Sequence, residues 1–137
     1  MPEKKNKYWA RKVFVYESGL VSNTGKLKGQ GKVKAVFDSE KEYRRWQELQ
    51  LLEAAGNIQQ LKRQVPLMIQ ESFVYEGSRI LPIVYVADFM YEQDGRTVVE
   101  DVKAFDEKSS RYRETEAFRI KWKLLKAKYP HLHFVLY

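Results

Sequence analysis

The dipeptide Asp94-Gly95, set between two runs rich in apolar residues, Ile83 to Tyr91 and Arg96 to Phe105, constrains this chain more than any other feature. Asp-Gly suits the two central positions of a type I′ turn, both of which need positive φ, and the twist of that turn matches the twist of paired strands. Two antiparallel neighbours follow, and with them a register. If Asp94-Gly95 is the whole loop, Gln93 pairs with Arg96 and Asp88 stands directly opposite Asp101. If the loop is Glu92 to Gly95, the two become diagonal neighbours on the same face. Both registers bring the carboxylates together. Val84, Val86, Asp88 and Met90 share one face of the first strand, so Asp88 is a carboxylate in an apolar row, and Val99, Asp101, Lys103 and Phe105 share a face of the second. Like charges side by side destabilise a sheet unless a cation or a shared proton neutralises them, and all-oxygen ligation suits Mg²⁺ or Mn²⁺. Lys103 can counter that charge or touch a substrate phosphate. The Asp-x-Lys pattern alone is cheap in a chain that is 31% charged. Asp106-Glu107-Lys108 matches it too, as does Glu3-Lys4-Lys5 once Glu is admitted for Asp, but neither follows an apolar strand that turns it toward Asp88.

The rest of the chain supplies one α/β domain around this hairpin. Tyr8 to Tyr16 reads as a short strand, and Ser18 to Lys32 as a flexible basic loop holding four of the seven glycines. Its Gly29 to Lys32 lacks the spacing of a phosphate-binding loop. Phe37 to Ala55 is the clearest helix, opened by Asp38 or Ser39 and closed at Gly56. Leu61 to Ile69 reads as a strand that Pro66 pushes toward a sheet edge, and Ser72 to Tyr75 as another that turns at Glu76-Gly77. A second helix runs from about Arg113 to Tyr129 with Phe118, Trp122, Leu125 and Tyr129 as its apolar stripe. Pro130 ends it, and His131 to Tyr137 is a last strand. The expected division is a basic strand and loop, 1–36, attached to a core, 37–137.

On the first helix, Glu42 points into the apolar stripe beside Trp46 and Leu49, where a solvated glutamate has no place. Two readings fit: a capping box, Ser39-x-x-Glu42, in which the carboxylate reaches back to a backbone N–H, or a site carboxylate. His131 and His133 on one strand face could begin a zinc site, but no third ligand of comparable spacing accompanies them, and a surface pair is the better reading. Trp46 and Trp122 lie on apolar stripes and read as core.

Composition narrows the function classes. The absence of cysteine removes disulfides, thiolate nucleophiles and cysteine metal sites, as expected of a cytoplasmic protein. No apolar run is long enough to cross a membrane as a helix, and nothing points to a nucleotide cofactor. The net charge of +7 is unevenly placed. Residues 1–36 hold nine Lys/Arg against two acids, 37–107 hold eight against fourteen, and 108–128 hold eight against two. A polyanion such as DNA would be drawn to the two basic flanks and would tolerate the acidic middle only with a cation bound there. Lys26, Lys28, Lys32 and Lys34 in the first flank and Arg119, Lys121 and Lys123 in the second are the candidate phosphate contacts; ordinary solvated surface is the competing reading for both.

An acidic residue on the first helix, an Asp on a strand and a hairpin-linked Asp-x-Lys resemble the PD-(D/E)XK nuclease superfamily, through Glu42, Asp88 and Asp101-Val102-Lys103. Asn6-Lys7-Tyr8, Phe37-Asp38-Ser39, Tyr85-Val86-Ala87-Asp88-Phe89 and Val99-Glu100-Asp101-Val102-Lys103 resemble, more narrowly, small phage and prophage proteins assigned to it. The resemblance implies an αβββαβ restriction-endonuclease-like core, a central mixed sheet flanked by helices, with one or two divalent ions. It further implies a metal-dependent DNA endonuclease in which Asp88, Asp101 and the Val102 carbonyl hold Mg²⁺ or Mn²⁺. Glu42 would complete the site directly or through water, and Lys103 would orient the attacking hydroxide. A phage-encoded protein would act in the bacterial host cytoplasm, in DNA recombination, replication or processing. Holliday-junction cleavage by a homodimer is a specialisation by analogy. The alternative is a non-catalytic DNA-binding accessory protein on the same scaffold. Ala87 replaces the motif's proline, and Asp101 reaches less far than the commoner Glu.

Overall fold

A computed structural model describes residues 11–137; the first part of the predicted Tyr8 to Tyr16 strand, and the Asn6-Lys7-Tyr8 phrase, lie outside them. Two compact units divide inside the first helix, the first ending at Glu48 and the second spanning Leu49–Tyr137.

In the first unit, the β-branched residues of β1 (Val13–Tyr16) pair antiparallel with β2 (Val21–Ser22) and β3 (Val33–Phe37), in the order β2-β1-β3. The segment between them, read from sequence as a flexible loop, is tied to β1. The hydroxyl of the buried Tyr16 donates to the Thr24 carbonyl at 2.6 Å and accepts from the Leu27 N–H at 3.1 Å, while the Glu17 N–H donates to the Lys32 carbonyl at 2.9 Å. Backbone groups that would otherwise need water are satisfied by one buried phenol. Helix α1 (Glu40–Ala54) begins where Ser39 Oγ accepts from the Glu42 N–H at 3.1 Å. It ends in a Schellman turn, with the Gly56 N–H donating to Glu53 O and the Asn57 N–H to Leu52 O.

The second unit is built on a four-stranded mixed sheet in the order β11-β8-β7-β4, so the chain is α/β. Strand β4 (Gln59–Gln70) lies on one edge, as Pro66 requires, since proline has no N–H to give a second neighbour. Beyond it, β5 (Phe73–Tyr75) and β6 (Ser78–Ile80) form a separate hairpin, and β7 (Ile83–Gln93) returns antiparallel along β4. Strand β8 (Arg96–Asp101) follows, with Gln93 paired to Arg96 and Phe89 to Glu100. This is the register of the two-residue turn, with Asp94 and Gly95 both at positive φ. A small hairpin, β9 (Phe105–Asp106) and β10 (Arg111–Tyr112), leads to α2 (Glu116–Lys128), whose N-cap Thr115 accepts from the Phe118 N–H at 3.1 Å. Finally β11 (His133–Leu136) runs parallel to β8. From α1 onward the helices and the strands of the main sheet succeed one another as αβββαβ.

The core of this unit joins Leu67, Ala87 and Val99 of the sheet to Phe118, Trp122 and Leu125 of α2, the stripe expected from sequence. Tyr129, its last member, is partly buried and donates its hydroxyl to the Met68 carbonyl at 2.8 Å, pinning the end of α2 to β4. In the row carrying Asp88, Val84 and Val86 are exposed, and the buried residues of β7 are Ala87, Phe89 and Tyr91. One expectation needs correction: His131 and His133 do not share a strand, because the turn at Pro130 and His131 leaves His131 outside β11.

Candidate functional site

The sheet is most deeply buried at β8, where Val98, Val99, Glu100 and Asp101 are all shielded. A strand with neighbours on both sides and covered faces has no solvent to offer a carboxylate, so each acid there must find its partners within the protein. Glu100 finds the Tyr91 hydroxyl, which donates to it at 3.0 Å. Asp101, on the opposite face of the strand, is 2% exposed and meets a different set.

Three groups converge on Asp101. The Lys103 ammonium lies 2.6 Å from Oδ2 and 4.0 Å from the centroid of the Phe118 ring. Tyr85 is the second: burial first, then the charge of Asp101, a hydrogen-bonding contact with it and the charge of Asp88 push the Tyr85 phenol far above its ordinary pKa. Asp88 comes in from β7 one position beyond the last regular pair, Phe89 with Glu100, and its Oδ2 accepts from the Val102 N–H at 2.8 Å. The backbone here is held from the other side as well: the Tyr137 N–H donates to Asp101 O at 2.9 Å and the Lys103 N–H to Tyr137 O at 3.0 Å. Asp88, Asp101, Val102 and Lys103 are thus gathered where β7, β8 and the end of the chain after β11 meet.

Carboxylate and carbonyl oxygens are the donor types that a hard divalent cation takes. Asp101 Oδ2 is buried with no hydrogen-bond donor aligned on it, although the ammonium approaches it closely, so the contact is an ion pair rather than a directed hydrogen bond. Among the described residues no three His, Asp or Glu side chains cluster as metal ligands. Two carboxylates, a backbone carbonyl and water are nevertheless an ordinary set for Mg²⁺, which retains several waters when protein-bound.

The other candidates are placed as follows. Glu42 is 3% exposed, in the first unit, and its Oε2 accepts from the Asp38 N–H at 3.1 Å while Ser39 caps the Glu42 N–H. That is the capping box with the return bond displaced by one residue, and it gives Glu42 a structural role. Lys26, Lys28, Lys32 and Lys34 are all exposed on the loop and β3 of the same unit. Of the α2 candidates, Lys123 is exposed and Lys121 partly buried, while the exposed Arg119 sits 3.6 Å from the half-buried Glu114. Tyr85 is the site residue that pattern reasoning missed. Its signal was an aromatic hydroxyl three residues before Asp88, but a tyrosine in a strand reads equally well as packing.

None of the curated proteins compared with this chain matches it. The profile of a family described as "Protein of unknown function (DUF1064)" matches residues 5–136. That match spans the phrases around Asp88 and Asp101-Val102-Lys103 and nearly all of the sequence, and the chain belongs to the DUF1064 family.

Proposed function

We propose that the protein is a divalent-metal-dependent endodeoxyribonuclease, a member of the PD-(D/E)XK superfamily. The observation that carries the reading is the meeting of Asp88, Asp101 and Lys103 at the open end of the β7–β8 hairpin, with a buried carboxylate oxygen lacking an aligned donor. The Val102 N–H accounts structurally for Asp88 and the Lys103 ammonium offsets the charge of Asp101, but neither contact requires the two carboxylates to be neighbours.

In this reading Asp88, Asp101 and the Val102 carbonyl hold Mg²⁺ or Mn²⁺, which when bound supplies Lewis acidity and a water acidic enough to attack a phosphodiester. Lys103 is only partly buried and rests on the Phe118 ring, so its ammonium can exchange Asp101 for a phosphate oxygen without losing its apolar support. It would orient the attacking water and offset charge that develops on phosphorus-bound oxygens. The lysines of the first unit, Lys26, Lys28, Lys32 and Lys34, would contact phosphates without reading sequence.

The test is incubation of the full chain with labelled duplex, nicked, flapped and four-way DNA in Mg²⁺, Mn²⁺ or EDTA. Cleavage is expected only with metal, and Asp88→Asn and Asp101→Asn should each abolish it while the far-ultraviolet circular dichroism is unchanged. Undiminished cutting in EDTA, or by either variant, would overturn the metal mechanism. Tight DNA binding without cutting of any substrate would identify a non-catalytic DNA-binding protein on the same scaffold.

A further inference from the structure

Tyr16 ends β1 and is 1% exposed, yet its hydroxyl bonds to backbone groups eight and eleven residues further along the chain. It donates to the Thr24 carbonyl at 2.6 Å and accepts from the Leu27 N–H at 3.1 Å, so the two bonds bracket Gly25 and Lys26. Gly25 packs against the Phe14 ring of the same strand: a Cβ there would fall 2.8 Å from it. The Lys26 N–H donates to Thr24 Oγ1 at 3.3 Å, and the Thr24 N–H to Ser22 Oγ at 3.2 Å. The return of the loop is tied as well, the Ser18 N–H donating to Gln30 O at 3.2 Å and Ser18 Oγ to Gln30 Oε1 at 2.8 Å. A segment rich in glycine and lysine buries little of its own, so its shape is imposed by β1. Outward it presents Lys26 and Lys28, both exposed, on either side of Leu27.

We propose that Tyr16 is a positioning residue for DNA binding: by holding Thr24 and Leu27 it presents Lys26 and Lys28 as a preformed pair of phosphate contacts. The inference rests on the DNA-binding part of the function proposed above. A loop that is disordered when free must be ordered when it binds, and fixing the backbone of even one residue costs about a tenfold loss of affinity. A loop already held by its own fold has met that cost before the ligand arrives. Its lysines then contribute counterion release with no ordering cost set against it. Packing alone would account for the Tyr16 ring, and phenylalanine would serve it equally. The hydroxyl is accounted for by the loop.

The experiment measures binding of the full-length protein to a labelled DNA duplex by fluorescence anisotropy over a range of salt concentrations. Ca²⁺ replaces Mg²⁺, and the duplex is checked intact afterwards. Tyr16→Phe keeps the ring and removes both hydrogen bonds, while Gly25→Ala displaces the same loop from Phe14 and leaves Tyr16 untouched. Lys26→Gln with Lys28→Gln removes the charges, and a further protein combines that pair with Tyr16→Phe. All are compared at a temperature at which circular dichroism shows them folded; if Tyr16→Phe does not fold, Gly25→Ala takes its place throughout.

Removing the two lysines should flatten the log–log salt dependence by roughly 1.8, about 0.9 for each contact. Tyr16→Phe and Gly25→Ala should each weaken binding about tenfold and speed amide exchange at Lys26 and Leu27. Added to the lysine pair, Tyr16→Phe should weaken binding no further, because a loop without its charges has nothing to position. A full tenfold loss in that background would mark general destabilisation and overturn the proposal, as would wild-type affinity in both Tyr16→Phe and Gly25→Ala. An unchanged salt slope without the two lysines, with DNA still bound, would overturn the proposal and leave the DNA-binding reading standing. Absence of DNA binding by the wild type would overturn both.

Discussion

The second unit contains two hairpins with nearly the same local chemistry and opposite fates. β5 and β6 are joined by Glu76-Gly77, β7 and β8 by Asp94-Gly95, and in both turns an acidic residue near φ 50° precedes a glycine near φ 80°. All six residues of β5 and β6 are exposed, Val74 at 71% and Tyr75 at 62%. In β7 and β8, Ala87, Phe89 and Val99 are fully buried, and so are two carboxylates, Glu100 and Asp101. Apolar side chains are outside in one hairpin and acids are inside in the other. Turn chemistry decides that a hairpin forms and with what register; the strands and helix that cover it decide what its side chains mean. A two-stranded ribbon is marginal alone, whereas β7 and β8 are flanked by β4 and β11 and covered by α2.

That contrast can be broken most forcefully at its apolar positions. Phe89→Ala should cost about 3–5 kcal/mol by chemical denaturation, whereas Val74→Ala should stay within about 0.5 kcal/mol of wild type, since only the former opens a cavity. Comparable losses would mean that the exposed hairpin is covered by something in solution. The buried acids sharpen the same point. Asp101→Asn deprives the Lys103 ammonium of its counterion and should lower stability by roughly 1–3 kcal/mol, the cost of leaving a buried polar group without its partner. Asp88→Asn should be close to neutral, because an amide oxygen can still accept from the Val102 N–H and one of two neighbouring charges has gone. Equal destabilisation would show that repulsion between the carboxylates contributes nothing. The smallest effect lies in the turns. Gly95→Ala should cost about 1 kcal/mol of global stability through its positive φ. Gly77→Ala, under the same strain, should leave the denaturation midpoint almost unmoved and instead raise amide exchange between Phe73 and Ile80, because that hairpin can open by itself. A midpoint shift as large for Gly77 as for Gly95 would show that the two hairpins unfold together.

Much of this arrangement could be read along the chain. The start of α1 at Ser39, its end at Gly56, the edge position of the Pro66 strand, the turn at Asp94-Gly95 and the α2 stripe all stand where the sequence places them. The approach of Asp88 to the Asp101 segment was readable too, because a two-residue turn leaves little freedom over the few residue pairs that follow. Glu42 was readable as two things, and the hydrogen bonds to Asp38 and Ser39 account for one of them. Exposure along the Asp88 row was not readable: Val84 and Val86 are apolar yet exposed, because burial depends on what lies over a face, and that information is not in the strand.

Caps, turns and registers were determined by the sequence itself, because each depends on a φ angle or a hydrogen bond between residues close along the chain. The environment of Asp101 was decided only by tertiary structure. Phe118 reaches Lys103 from a helix that follows two further strands, Trp122 and Phe118 immobilise Tyr85, and the chain end at Tyr137 grips the backbone of Asp101 and Lys103. Each of those contacts joins segments far apart in sequence, where no local periodicity can specify a partner. The low dielectric they create together is what turns an Asp-x-Lys triplet, common in any charged chain, into a buried ion pair beside a second carboxylate.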